Sequence, residues 1–415
     1  MVSSSGTARA HRLRMTGPTT RPRRLLPAAL LPAALVLAAC GSSVGGSAEA
    51  EGNDLQIGFI VPATGVASAS GLAMQAGFEL AVERVNADGG VNGQPITYEV
   101  QDDAGDPATT TQLARRYSQD NAFDLLFGTI TGDTAAAVVP VSDEAEIPFV
   151  TAILGDPPVC SAYSWPFGES SRQLLELQVA ALIADHGPRI AFVGSDYNFP
   201  HDYAAAAAEL IEAEGGELVA EEYSPLGTTD FESTIGRLSA ARPDAVLSMV
   251  VGSDAVAFTQ QAAQFGLLTP DLGFEGAPLD ADYYGAVAQQ VSGREHVVRW
   301  ADGLDDADSQ AFVEAYREET GAVGPVPEIA ANAYYALLFI AAAVDDAGAG
   351  TRAEINEALG SFTFSSPLGE ETRFVDTEGG GHLFQADMLT ATIGDGVYEV
   401  TENHGVVDNT EVSCQ

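Results

Sequence analysis

Ile190-Ala191-Phe192-Val193-Gly194-Ser195-Asp196-Tyr197-Asn198-Phe199-Pro200 decides how this chain is read. The first residues form a short apolar run closed by Gly194, the pattern of a strand buried on both faces. The next residues bring a carboxylate, Asp196, and two rings, Tyr197 and Phe199. Alternation along an extended loop puts both rings on the same side. An alanine-rich stretch over 203–214 then predicts a helix. Open α/β sheets bind ligands where a strand delivers polar and aromatic groups just ahead of a helix. The stretch is therefore expected to form one wall of a cleft for a small solute. Tyr197 and Phe199 are its candidate lining residues, and Asp196 either bonds the solute or caps the next turn.

Working outward, the same βα pattern recurs on both sides. Upstream, strands are expected over 55–61, 96–100, 125–128 and 148–152, with helices over 72–88, 108–119 and 133–144. Around the opening stretch, helices are expected over 171–185, 231–241 and 254–265, with strands over 218–223, 245–251 and 272–275. Two such arrays predict two parallel sheets covered by helices. Later helices over 308–320 and 328–348 are read as crossing back to the first array. Strands over 373–376, 388–393 and 397–400, joined by glycine-rich turns, follow them. The expected fold class is α/β, with two doubly wound Rossmann-like lobes joined by a multi-strand hinge. Residues 54–167 with about 302–360 form the first lobe, 168–301 with about 361–403 the second, and 404–415 a C-terminal tail.

The chain has 415 residues, and 59 acids oppose 18 basic residues, all of them Arg. Six of those Arg precede residue 40 and no acid does. The body is therefore strongly acidic, which excludes binding to phosphate backbones and predicts no nucleic-acid partner. Residues 1–39 read as an export signal: an Arg-rich start, including Arg23-Arg24, leads into an apolar stretch too short to span a bilayer. General secretion is preferred over the twin-arginine route because Pro22 and Pro27 flank that pair. The stretch stops at Leu37-Ala38-Ala39-Cys40-Gly41, which resembles the lipobox of bacterial lipoproteins. That resemblance implies lipidation of Cys40, with residues 40–53 as a lipidated Cys and flexible tether. The other two cysteines, Cys160 and Cys414, form a candidate disulfide outside the cytoplasm.

Several segments then take on a common likeness. Ile57-Gly58-Phe59-Ile60-Val61-Pro62-Ala63-Thr64-Gly65, Val85-Asn86-Ala87-Asp88-Gly89-Gly90-Val91-Asn92-Gly93 and Asp102-Asp103-Ala104-Gly105-Asp106-Pro107 resemble the type I periplasmic binding proteins for branched-chain amino acids, amides and urea. The stretch from Gly194 to Pro200 is most similar to the urea and short-chain-amide branch. The resemblance implies the type I periplasmic-binding-protein fold and a solute receptor for an ABC importer. Two lobes close on a small-molecule solute and present it to permease and ATPase subunits. Position by position it implies ligand contacts at Thr131, Gly132 and Asp133, at Ile153 and Leu154, at Ser170 and Ser171, at Tyr197 and Phe199, and at Ser253 and Asp254. Glu275 falls where amino-acid binders of this family place an acid for the ammonium group. The chain departs from the urea and amide branch at Thr151-Ala152-Ile153-Leu154-Gly155, which has no Tyr. A more apolar first-lobe wall is expected there, which moves the expectation from urea toward leucine-type ligands.

Other functions fit the residues poorly. No G-x-G-x-x-G follows Val61, there is no G-x-x-x-x-G-K, and Lys is absent altogether, so neither an enzyme nor a cofactor is expected. The six His are scattered without metal spacing. Asp302-Gly303-Leu304-Asp305-Asp306-Ala307-Asp308 lacks the ligand spacing of a calcium loop and reads as a solvated acidic loop. The expected location is the extracytoplasmic face of a bacterial cell membrane, with the lipid at Cys40 as anchor. The alternative function is an extracellular ligand-sensing receptor of the same fold that signals through a membrane partner.

Overall fold

A computed structural model describes residues 54–155, 159–394 and 396–408. The export signal, Cys40, its tether and Cys414 lie outside them. The first sheet contains β1 (Gln56–Val61), β2 (Thr97–Asp102), β3 (Leu125–Gly128), β4 (Phe149–Thr151) and β5 (Ser164–Pro166), all parallel, in the order β2-β1-β3-β4-β5. The helices that follow its strands are α1 (Ser68–Ala87), α2 (Pro107–Gln119) and α3 (Gly132–Ala145). β1 and β3 are buried almost throughout, so this sheet is covered on both faces. Ile60, Leu126 and Phe149 pack under α2 and α3, while Phe59, Phe127 and Val150 face α1.

The chain then enters a second parallel array through α4 (Ser171–Asp185). It continues with β6 (Arg189–Ser195), α5 (Asn198–Ala213), β7 (Glu217–Ser224), α6 (Glu232–Ala241), β8 (Ala245–Met249), α7 (Ser253–Gln264) and β9 (Gly273–Gly276). The sheet order is β7-β6-β8-β9. After α8 (Tyr284–Val291) and β10 (Glu295–Val298), the chain returns to the first lobe with α9 (Ala307–Thr320), α10 (Glu328–Ala347) and α11 (Arg352–Ser361). Helix α10 is apolar enough to cross a membrane, but it is the buried core of this lobe. It lies so close to α1 that a β-carbon on Gly77 would sit 1.9 Å from the Ala330 carbonyl oxygen.

The C-terminal strands correct the expected lobe boundary. β11 (Phe364–Ser366), β12 (Gly369–Asp376) and β13 (His382–Gln385) form an antiparallel sheet. Its Phe374 and Phe384, with Leu368 and Ala386, are buried in the first lobe's core, because Phe374 and Phe384 pack with Phe167 and Phe339. Residues 361–386 thus pack with the first lobe rather than the second. Only β14 (Asp387–Ile393) and β15 (Tyr398–Val406) join the second, in a sheet ordered β10-β14-β15. Strand β15 (Tyr398–Val406) also carries regular structure past residue 404, where the tail was expected to begin.

The chain crosses between lobes after β5, after β10 and after β13, and Arg299 ties these passages together. It is fully buried. Its guanidinium donates to the Phe167 carbonyl and to Gln173 Oε1, and lies 5.8 Å from the centre of the Phe384 ring. The backbone N–H groups of Arg299 and Trp300 both donate to Glu328 Oε1 at the start of α10. The loop after Asp302 is not simply solvated. Asp302 is buried and accepts from the Val326 and Tyr398 backbone and from Arg317, while Asp306 caps α9.

Candidate functional site

The C-terminal ends of both parallel sheets face one another across a cavity of about 310 Å³. The first lobe contributes Thr131, Gly132 and Asp133 from the start of α3, and Ile153, Leu154 and Gly155 from the loop after β4. The second contributes Tyr197 and Phe199 from the start of α5, Gly252 before α7, and Asp280 and Tyr283 after β9. Glu169 and Glu328 reach in beside the hinge. The lobes touch at the mouth of the cleft. Ser70 Oγ of the first lobe donates to the Asp282 carboxylate of the second, and a β-carbon on Gly252 would lie 2.7 Å from the Val66 carbonyl oxygen.

The opening stretch folds differently from its expected form. Helix α5 starts at Asn198, so Tyr197 is its N-cap and Phe199 and Pro200 are in its first turn. Proline is tolerated there because the first-turn N–H groups have no intrahelical acceptor. The rings still share one wall, because the turn from strand into helix brings them together, with centroids 6.2 Å apart. Tyr203, one helical turn beyond Phe199, extends that wall with its ring 5.5 Å from Phe199. Asp196 points away: it is exposed and pairs with His201 at 2.9 Å.

Of the other expected contacts, Thr131, Gly132, Asp133, Ile153 and Leu154 line the cavity. Ser170, Ser171, Ser253, Asp254 and Glu275 are not among its lining residues. Ser170 is the buried N-cap of α4, in a capping box with Gln173. Ser171 Oγ donates to the Gly155 carbonyl and so holds the loop that carries Ile153 and Leu154. Asp254 accepts from the Gly227 and Thr228 backbone, and Ser253 opens α7. These four shape the walls from behind.

Glu275 lies one layer behind the cavity. Its Oε1 receives Gln178 Nε2 at 3.0 Å, the Val297 N–H at 3.0 Å and His296 Nδ1 at 2.9 Å. The other ring nitrogen of His296 is 3.2 Å from Asp280 Oδ1, and Tyr203 donates to Gln178 Oε1 at 2.6 Å. Gln178, Tyr203, Asp280 and His296 all line the cavity. Behind them Gln178, Glu275 and His296 also face a second, outer cavity of about 270 Å³.

Electrostatics follow from burial without counter-charges. Burial opposes protonation of His296, but the carboxylates of Glu275 and Asp280 outweigh it and raise the imidazole well above its usual range. Burial raises Asp280, and His296 partly offsets that. Glu169 is raised by burial against the pull of Arg299, and Glu328 is raised well above the usual range by burial and by Glu169. Asp133 is raised by burial and by Asp202. Asp282 is pushed to about 7, by burial and then by Asp280.

Sequence reasoning missed Gln178, Tyr203, Asp280, Tyr283, His296 and Glu328 as lining residues. The usable signal was the end of β9, since binding loops of such sheets follow strand ends.

Two parallel sheets with a cavity between their C-terminal edges and a three-passage hinge define a two-lobed small-molecule-binding fold. A profile of the family described as periplasmic binding protein matches residues 54–396, and the chain belongs to that family. A Leu/Ile/Val-binding protein homologue 7 of Brucella suis is 28% identical over 225 residues, 51% of this chain and 56% of the relative. The chain thus spans little more than half the length of that relative. The Leu/Ile/Val-binding protein BraC3 of Rhizobium johnstonii is 24% identical over 306 residues, 72% of this chain and 82% of the relative. In fold, the chain is similar to a solute-binding protein of an ABC transporter from R. palustris in complex with benzoate. That TM-score is 0.77 at 22% identity, over 87% of this chain and 99% of the other. An ABC transporter substrate-binding protein from Sphaerobacter thermophilus gives 0.74 at 24%, over 86% and 99%.

Proposed function

We propose that the chain is the extracytoplasmic solute receptor of an ABC importer, held at the membrane by lipid on Cys40. It traps one small solute between its lobes and presents it to permease and ATPase subunits. The observation that carries this reading is the 310 Å³ cavity walled by both lobes beside a hinge that the chain passes three times. Cavities of this kind bury most of a small ligand and fix it with few polar groups.

The walls favour a solute with an apolar body and one hydrogen-bonding end. Ile153, Leu154, Leu174, Met249, Val251 and Ile329 supply the apolar lining, beside the rings of Tyr197, Phe199 and Tyr203. At ~30 Å³ for each water in the liquid, the space holds on the order of ten waters. Urea would leave most of it wet, so a solute of leucine or benzoate size fits better. Cys160 is disulfide-bonded, with its partner outside the described residues. We assign that partner as Cys414, which would pin the C-terminus to the first lobe.

Calorimetry and thermal shift on the mature protein test the reading, using leucine, isoleucine, valine, benzoate, acetamide, urea and simple amines. One-to-one binding and a raised Tm with at least one solute are expected. A Tm unmoved by every compound at millimolar concentration overturns it.

A further inference from the structure

The charged lining of the cleft is one-sided. Among the described residues Asp133, Glu169, Asp280 and Glu328 line it, and no Arg does. The only cationic side chain among the described lining residues is His296, and both its ring nitrogens already face carboxylates, Glu275 and Asp280. A bound carboxylate would have to find its donors elsewhere. Helix N-termini are the usual substitute, offering free N–H groups and partial positive charge. Four of those at the cavity are compromised, and α1, which has neither an acid in its first turn nor a side-chain cap, is the exception. The first turn of α3 contains Asp133, and its Thr134 N–H is taken by Thr131 Oγ1 in a capping box. The first turn of α7 contains Asp254, and that of α10 contains Glu328. Helix α5 has Pro200 as its third residue, which removes a donor. Acids are thus built into three of the helix ends that would otherwise hold an anion.

A cation meets the opposite situation. Asp280 Oδ1 is engaged by His296, but Glu275 takes most of the donors in that wall, which leaves Asp280 as the acceptor turned to the cavity. Across the cleft, Asp133 makes no hydrogen bond with the described residues and stands beside the Tyr197 ring. Tyr197, Phe199 and Tyr203 form a contiguous aromatic wall, and ring faces attract ammonium groups. Burial holds Asp133 and Asp280 above their ordinary range, with His296 offsetting only part of it at Asp280, and an ammonium beside them supplies further positive charge.

Resting on the solute-receptor reading above, we propose that the solute is an organic cation: an ammonium group on an apolar body, without a carboxylate. Asp280 and Asp133 read the charge, and the aromatic wall reads the faces of the group. Anionic and zwitterionic solutes are rejected by like charge, a specificity obtained by repulsion.

Matched sets on the mature protein test this. One set is isoamylamine, leucine, isovalerate and isovaleramide; the other is phenethylamine, phenylalanine, hydrocinnamate and its amide. In at least one set the amine is expected to bind tenfold or more tighter than its amino acid, acid and amide. Asp280→Asn and Asp133→Asn are each expected to weaken amine binding at least tenfold while changing amide binding less than threefold. Asp133 stands on the first turn of a helix rather than in the core, so its variant guards against misfolding of the other. An amino acid or acid that binds as tightly as its amine overturns the cation assignment and leaves the receptor reading standing. The same holds if both variants keep full amine affinity. Silence from every compound, amines included, overturns both.

Discussion

Replacing Asp282 by Asn probes the contact that joins the lobes. Its carboxyl receives Ser70 Oγ from across the cleft and is pushed to about 7 by burial and by Asp280. An unfolded Asp titrates near ~3.9. A folded pKa above the unfolded one means that the native state holds the proton longer. This contribution to stability is full below pH ~4 and is lost as pH rises toward ~7. Between pH 5 and pH 8 the linkage relation gives a loss of roughly 2–3 kcal/mol from this residue. That figure is a ceiling, since Asp282 keeps partial exposure and hydration softens the penalty. Asn mimics the protonated form and cannot ionise, so the variant should lack this component. Urea unfolding of both proteins at pH 5 and pH 8 gives a double difference in which titrating groups not coupled to Asp282 cancel, leaving Asp282 with its neighbours Asp280 and His296. A difference of at least ~1 kcal/mol, with the wild type losing more on going to pH 8, is expected. Equal pH dependence in the two proteins would show that Asp282 is hydrated and ordinary, and the argument from its burial would fail.

Three further changes test particular contacts. Gly77→Val should force α1 away from α10, lowering stability by roughly 1–3 kcal/mol, read as a lower urea midpoint. Gly252 has φ +65° and lies against Val66 of the other lobe, so Gly252→Ala should weaken the best ligand at least tenfold in calorimetry with a smaller effect on the unliganded Tm. Arg299→Met removes the guanidinium donor to the Phe167 carbonyl, leaves Gln173 Oε1 with only the Ser170 N–H among the described residues, and takes the nearby charge from Glu169. A loss of about 3–5 kcal/mol in denaturant unfolding is expected.

The parallel strands were legible because burial on both faces writes itself as short apolar runs, as at Leu125–Gly128 and in the run from Ile190. The start of α5 was not, because the residues up to Pro200 read as an extended loop, whereas Asn198, Phe199 and Pro200 form the helix's first turn. β11 and β13 were missed because three- and four-residue strands carry no measurable period. Within the cavity wall, Ile153 and Leu154 came from the family resemblance, whereas Tyr197 and Phe199 were readable because they stand just past a strand end. Gln178, Tyr203 and His296 were not. They lie inside α4, α5 and β10, where a buried inward position looks the same whether it faces a core or a cavity.

Glu275 shows how a strand end can be chosen correctly and its chemistry still misassigned. The residue lies next to the last position of β9, where a charge-reading acid was expected, but one layer behind the cavity wall. Three donors converge on its Oε1, from Gln178, His296 and the Val297 backbone. A carboxylate oxygen so engaged has little acceptor capacity left for a ligand. What it does is fix orientation. It holds His296 so that the second ring nitrogen meets Asp280, and it holds Gln178 so that Tyr203 stays against the cavity. The acid that lines the cavity is Asp280, five residues further along the chain and joined to Glu275 through one imidazole. Sequence shows two acids near a strand end; only the structure separates the one that lines the cavity from the one that positions its neighbours.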